Sequence, residues 1–171
     1  MPFTILGIDP GKYGAMASFS FSEGGLELVG LSDFPLTRRD RRIDFPRLAE
    51  IVQPYQNPET GEPKTFAALE WVTSFGQGRT SAFHFGENLG AWQAVLASHR
   101  IPCQLITPQS WKRGMGILGE DKESALFLAR ELFPGWADAL ARKKDLDRAD
   151  AILLGLFYAK KNTPRTESRG E

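Results

Sequence analysis

The chain predicts an α/β fold built on a five-stranded mixed sheet, three antiparallel plus two parallel strands, flanked by helices on both faces. An opening stretch of short apolar runs broken by glycine turns indicates a strand meander. Two later apolar strands are each followed by a helical pattern, and a long amphipathic segment closes the chain. A length of 171 residues, 42% hydrophobic and 25% charged, suits one globular domain with a core of its own.

Residues 3–8 read as a buried strand closed by Asp9, after which Pro10 and Gly11 turn the backbone. Asp9 is therefore expected at a strand tip with its carboxylate toward a cleft. Gly14 to Phe21 reads as the second strand and Leu26 to Phe34 as the third. The cluster Arg38-Arg39-Asp40-Arg41-Arg42 is then a loop, and Phe45-Pro46 leads into a helix to about Tyr55. Lys64 to Trp71 forms a buried strand with a second terminal acid, Glu70. Val72 to Arg79 is a glycine-bearing loop, and Thr80 is expected to cap a long helix to about His99.

Cys103 to Thr107 reads as the fifth strand, with Cys103 as a small buried residue, and Pro108 to Lys112 as a short helical turn. Asp121 is expected to cap a helix from Lys122 to Phe133 with the stripe Ala125, Leu128, Ala129 and Leu132. From about Leu146 a last helix runs to Lys161 with Ala149, Ile152, Leu153, Leu156 and Phe157 inward. Residues 1–161 are thus expected to be a single domain, and the polar residues 162–171, with Pro164 and Gly170, a disordered tail.

In a sheet of this order the first and fourth strands are parallel neighbours joined by a right-handed crossover, which sets Asp9 beside Glu70. Asp147 and Asp150, spaced i,i+3, share one face of the last helix. Asp145, five positions before Asp150, points away from that face. A last helix crossing beside strands one and four would bring Asp9, Glu70, Asp147 and Asp150 into one pocket. Taken singly, these acids also suit a turn, a strand end or a helix N-terminus.

Four carboxylates cannot share a pocket ionised and empty; protons or divalent cations must neutralise them. Oxygen donors without His or Cys select Mg²⁺ or Mn²⁺. Two such ions about 3.5 to 4 Å apart can activate a water and stabilise the leaving 3′ oxygen of a phosphodiester.

The remaining composition narrows the classes. One cysteine excludes an internal disulfide, and His84 and His99 lack the spacing of a zinc site. No stretch resembles a membrane span, and Met1-Pro2-Phe3-Thr4 lacks the basic start of a signal peptide, so a cytoplasmic protein is expected. Net charge is zero, from 21 Lys plus Arg against 21 Asp plus Glu, so any nucleic-acid affinity must come from local clusters.

Gly7-Ile8-Asp9-Pro10-Gly11, a strand ending in Glu70, and Asp147-Arg148-Ala149-Asp150-Ala151 opening the last helix resemble the RuvC family of Holliday junction resolvases, within the ribonuclease H-like superfamily. Pro108-Gln109-Ser110-Trp111-Lys112 through Lys122 resembles that family's DNA-contacting stretch, with Lys112 and Lys122 on its lysine positions. The resemblance spans about residues 4 to 160. Gly76-Gln77-Gly78, Leu132-Phe133-Pro134 and Arg142-Lys143-Lys144-Asp145 look closer to the bacteriophage and chloroplast branches.

The resemblance implies a homodimer that binds four-way junction DNA and nicks two strands symmetrically with Mg²⁺ or Mn²⁺, without a nucleotide cofactor or a membrane. Asp9, Glu70, Asp147 and Asp150 would be its metal ligands and catalytic acids. Lys112, Lys122, Arg113 and Arg79 would contact phosphates. Where the bacterial enzyme has an aromatic wedge, this chain has Thr73, and Phe75 is the nearest aromatic that can stack on bases. The helix from Thr80 to His99, with Phe83, Phe85 and Trp92, offers spare apolar surface for dimerisation. Competing readings are an RNA-processing nuclease of the YqgF type, a non-catalytic junction-binding protein, and an ATP-handling domain of the actin and sugar-kinase type, which needs two such domains.

Overall fold

The computed structural model describes residues 2–72 and 78–162. Its elements are β1 (Phe3–Asp9), β2 (Ala15–Ser22), β3 (Gly25–Asp33), α1 (Phe45–Val52), β4 (Thr65–Glu70), α2 (Arg79–Ser98), β5 (Cys103–Ile106), α3 (Pro108–Gly114), α4 (Ser124–Leu132) and α5 (Leu146–Asn162). The strands form one sheet in the order β3-β2-β1-β4-β5. The first three pair antiparallel, and β1, β4 and β5 run parallel. This is the expected architecture. Among the described residues no helix is long and apolar enough to cross a membrane.

Strand alternation sorts the side chains of β1 and β4 between two cores. Leu6, Ile8, Ala67 and Leu69 pack with Leu48 and Val52 of α1 and with Trp92 and Leu96 of α2. Ile5 and Ala68 pack with Ala149, Ile152, Leu153 and Leu156 of α5. Asp9 and Glu70 continue the second series, so both carboxylates emerge on the α5 face. The parallel register, ending at Ile8 opposite Leu69, makes them neighbours. A one-residue slip would send one of them to the α2 face.

The close approach of α5 to the sheet comes from missing side chains. A Cβ on Gly7 would stand 2.2 Å from the Ala151 carbonyl oxygen and 2.6 Å from the Gly155 nitrogen. One on Gly155 would stand 2.5 Å from the Phe19 ring. Glycine at both positions lets the helix backbone rest on β1.

Several local expectations need correction. α2 begins at Arg79 after Gly78, with no side-chain cap, so Thr80 already lies within its first turn. α4 begins at Ser124, not at Lys122: the Asp121 carbonyl closes a turn by accepting from the Ser124 N–H at 3.0 Å, which leaves Asp121 and Lys122 outside the helix. On α4 Leu126 is buried, whereas Leu132 is 41% exposed. Cys103 is exposed because β5 is an edge strand. Trp92 is fully buried and adds nothing to the outer surface of α2, while Phe83 is 64% exposed.

Candidate active site

Asp9 ends β1 almost fully buried, and the Gly11 N–H donates to its Oδ1 at 2.8 Å. Glu70 ends β4, also buried, and its Oε1 accepts from the indole N–H of Trp111 at 2.8 Å. That indole sits in α3, which the Thr107 hydroxyl caps by accepting from the Ser110 N–H. A buried indole N–H usually finds an acceptor. A hydrogen bond to a charged group is worth about 1.5 to 3 kcal/mol. Asp147 and Asp150 are half-buried on the first turns of α5.

The turn after β1 passes between two of these acids. A Cβ on Gly11 would lie 3.1 Å from Asp9 Oδ1 and 3.5 Å from Asp147 Oδ2. The turn is held from the other side by Asn88 of α2, a buried amide that donates to the Pro10 carbonyl at 3.2 Å and the Gly11 carbonyl at 3.1 Å.

Electrostatics ties the acids into one group. Burial pushes the Asp9 carboxyl well above its usual range, and the charges of Glu70, Asp147 and Asp150 push it further, against the Gly11 N–H. Burial raises Asp150 to about 7; Lys112 opposes the shift, and Glu70 and Asp147 add to it. Glu70 is raised by burial and restrained by Trp111 and Lys112. Asp147 is raised by burial and by Asp33, against the Tyr13 backbone N–H. The structure thus gathers Asp9, Glu70, Asp147 and Asp150 electrostatically, with Lys112 as their nearby cation.

Asp145 does not belong to this group. It is 2% exposed, and the Arg142 backbone N–H and guanidinium both donate to it at 2.8 Å. Hydrogen bonding to Arg142 holds its carboxyl below the usual range. The neighbouring Arg148 fastens α5 to the sheet, donating to both Asp33 carboxylate oxygens at 2.6 and 2.7 Å and to the Ala139 carbonyl at 2.8 Å.

The donor chemistry of the cluster suits a hard divalent cation: oxygen atoms only, desolvated, and repelling one another. Among the described residues no three His, Cys, Asp or Glu side chains converge closely enough to hold an ion as they stand. For three of these carboxylates to hold one ion, their side chains would have to rotate toward one another. Glu70 Oε2 is free for this, since among the described residues only Trp111 donates to this carboxylate, and it does so at Oε1.

The other residues singled out in the sequence fall elsewhere. Arg113 is exposed in the last turn of α3, and Lys122 is exposed in the turn before α4. Phe75 and the side chain of Arg79 lie outside the described residues. Sequence reasoning missed Trp111 as the partner of Glu70 and missed Asn88 altogether. Asn88 carried a readable signal, because it stands on the buried helical series with Trp92 and Val95.

The sheet and its helices superpose on T. thermophilus RuvC in complex with a Holliday junction substrate, with TM-score 0.64 and 20% identity over 94% of this chain and 97% of the other. The chain has the RuvC fold. A Thermus thermophilus RuvC structure matches the RuvC-like chain with TM-score 0.65 at 20% identity, over 94% and 98% of the two chains. The fowlpox virus Holliday junction resolvase matches with TM-score 0.53 at 14% identity, over 93% and 99%. In sequence, an alignment 113 positions long that covers 63% of the chain is 32% identical to the chloroplastic Holliday junction resolvase MOC1 of Chlamydomonas reinhardtii. The match covers 13% of the length of that protein. No protein-family model matches the RuvC-like chain.

Proposed function

We propose that this RuvC-like chain is a structure-selective endonuclease that resolves four-way DNA junctions by paired symmetric nicks. The observation that carries the reading is the set of four carboxylates, Asp9, Glu70, Asp147 and Asp150, at the C-terminal edge of two parallel strands and the start of α5. The likeness in sequence to a protein named as a Holliday junction resolvase supports the substrate class. The proposed unit is a single domain over residues 1–161; of the tail expected over 162–171, Asn162 ends α5 and residues 163–171 lie outside the described residues.

Asp9, Glu70, Asp147 and Asp150 would hold Mg²⁺ or Mn²⁺, two ions per site. Such ions supply a nucleophilic water and neutralise charge on the leaving oxygen. Gly11 and Asn88 fix the Asp9 turn, and the Trp111 indole fixes one oxygen of Glu70. Lys112, beside Glu70 and Asp150, offers its ammonium to a phosphate entering the pocket. Lys122, Arg113 and Arg79 are proposed to contact phosphates farther out, and Phe75 to stack on a base at the crossover. A homodimer matches the two-fold symmetry of a junction.

The test is incubation with a synthetic four-way junction, a matched linear duplex and a structured RNA, each with Mg²⁺, Mn²⁺ or Ca²⁺. Paired symmetric nicks on the junction alone support the reading. Cutting of RNA with the junction left intact would replace it with an RNA-processing nuclease, and junction binding without cutting under any metal would leave a binding protein.

A further inference from the structure

On the α2 side of the turn that follows Asp9 lies a surface of the opposite charge. A cleft of about 660 Å³, lined by Lys12, Arg41, Arg42, Phe45 and Phe83 among others, opens between the turn after β1, the loop before α1 and the outer face of α2. The acids on its walls are already engaged. Asp40 accepts from the Thr37 hydroxyl and the Arg42 N–H, and Glu87 lies 3.1 Å from His84 Nδ1. Lys12 and Arg41, by contrast, pair with no carboxylate among the described residues.

Both cations lie instead over one aromatic ring. Lys12 Nζ is 5.2 Å and Arg41 Cζ 5.5 Å from the centroid of Tyr13, which is 53% exposed. A cation–π contact engages the charge but leaves the N–H donors free. The loop is shaped to deliver Arg41: its φ of 57° is left-handed, unusual for a residue other than glycine. The Thr37–Asp40–Arg42 hydrogen bonds and the Thr37 N–H to Arg42 carbonyl bond hold that turn. Lys12 follows Gly11, whose backbone stands against the Asp9 and Asp147 carboxylates. Two segments distant in sequence thus set two cations on one ring, with Lys12 one residue past the Gly11 backbone that stands against the Asp9 and Asp147 carboxylates.

We propose that Lys12 and Arg41, gathered on the Tyr13 ring, form a phosphate clamp that grips the nucleic-acid strand next to the phosphate that enters the acid cluster. The clamp rests on the nuclease reading above and adds a binding site to it. Its cations sit outside the carboxylates, so they attract the strand without competing with metal for the acids. Tyr13 is a positioning residue, because it aligns the two cations and needs no contact with the strand.

The test measures binding of a fluorescein-labelled four-way junction by anisotropy in Ca²⁺ across a salt series, with wild type, Lys12→Gln, Arg41→Gln, the double variant, Tyr13→Ala and Tyr13→Phe. Arg47→Gln, an exposed residue paired with Glu50, is the control. The slope of log affinity against log salt should fall by about one for each lost cation and about two for the double variant. At fixed moderate salt the double variant should lose about tenfold or more in affinity. Tyr13→Ala should weaken binding toward the double variant, and Tyr13→Phe, which keeps the ring, should bind like wild type. Circular dichroism melts guard against unfolding.

An unchanged slope in the folded double variant, with wild type binding and cutting the junction, overturns the clamp and leaves the nuclease reading standing. Loss of self-association in sedimentation with an unchanged slope also overturns it, making the cleft a protein contact. A wild-type protein that binds the junction through these residues but never cuts it overturns the nuclease reading alone. A wild-type protein that binds no nucleic acid overturns both.

Discussion

Gly7 of β1 and Gly155 of α5 meet backbone to backbone, with a Cβ on Gly7 falling 2.7 Å from the Gly155 Cα. No flexible side-chain end is available to yield, since the atoms in the way belong to the main chain of α5. Gly7→Ala is therefore expected to push α5 off the sheet and destabilise the protein by about 3 kcal/mol or more, at or beyond the upper end of ordinary overpacking. Urea unfolding checks this. Gly24→Ala, with only the Ser22 hydroxyl at 3.7 Å from the added carbon, should stay within about 0.5 kcal/mol of wild type.

The raised carboxyl of Asp150 makes stability depend on pH in a definite direction. The folded metal-free protein keeps a proton there that the unfolded chain releases, so stability falls as pH rises from 3.8, the ordinary value, to about 7, and levels off above that. Asp150→Asn should remove its own share of this slope, leaving the shares of Asp9, Glu70 and Asp147, and raise the melting temperature in EDTA at neutral pH. Melting at several pH values, with and without Mg²⁺, measures it. The same variant should bind a junction normally and cut it at least about a hundredfold more slowly. A destabilised variant that binds no junction would make Asp150 structural.

Trp111→Phe removes the indole donor to Glu70 while keeping an aromatic ring. Glu70 should then titrate at a higher pH, because its hydrogen bond to Trp111 lowers its pKa. The expected result is a cleavage profile whose acid limb moves to higher pH and a metal requirement raised about ten- to a hundredfold, with junction affinity in Ca²⁺ unchanged. Titrating cleavage with Mn²⁺ at two pH values gives both readouts.

Asp145 should behave as the opposite of its neighbours. Asp145→Asn weakens the Arg142 contacts and should lower stability at neutral pH by about 2 kcal/mol, the scale of hydrogen bonds to a charged group. Because its carboxyl is held below 3.8, that contribution is complete above the ordinary carboxylate range and is lost as pH falls through the lowered value. Below the permissive temperature the variant should still cut. A folded but inactive Asp145→Asn protein would place this residue in the chemistry.

The parts of the molecule that repeat along the chain were readable from it. Alternation identified β1, β4 and the two acids that end them, and i,i+3 spacing separated Asp147 and Asp150 from Asp145. What escaped were contacts made across long separations. Trp111 meets Glu70 across 41 positions and Asn88 meets Gly11 across 77, and neither pairing follows from a local pattern. Helix starts failed for a different reason: at Asp121 a backbone-closed turn replaced the side-chain cap that the residue type suggested. Lys112, expected as a DNA contact, also bears on Glu70 and Asp150, because α3 packs its Trp111 against the end of β4, which no local pattern shows.

The single amide of Asn88 has a mechanical consequence. It ties the Pro10 and Gly11 carbonyls to a twenty-residue helix that also exposes Phe83. α2 thus joins the acid turn to the surface. If the proposed nuclease reading holds, a molecule docking on α2 would press through Asn88 on the loop that carries Asp9.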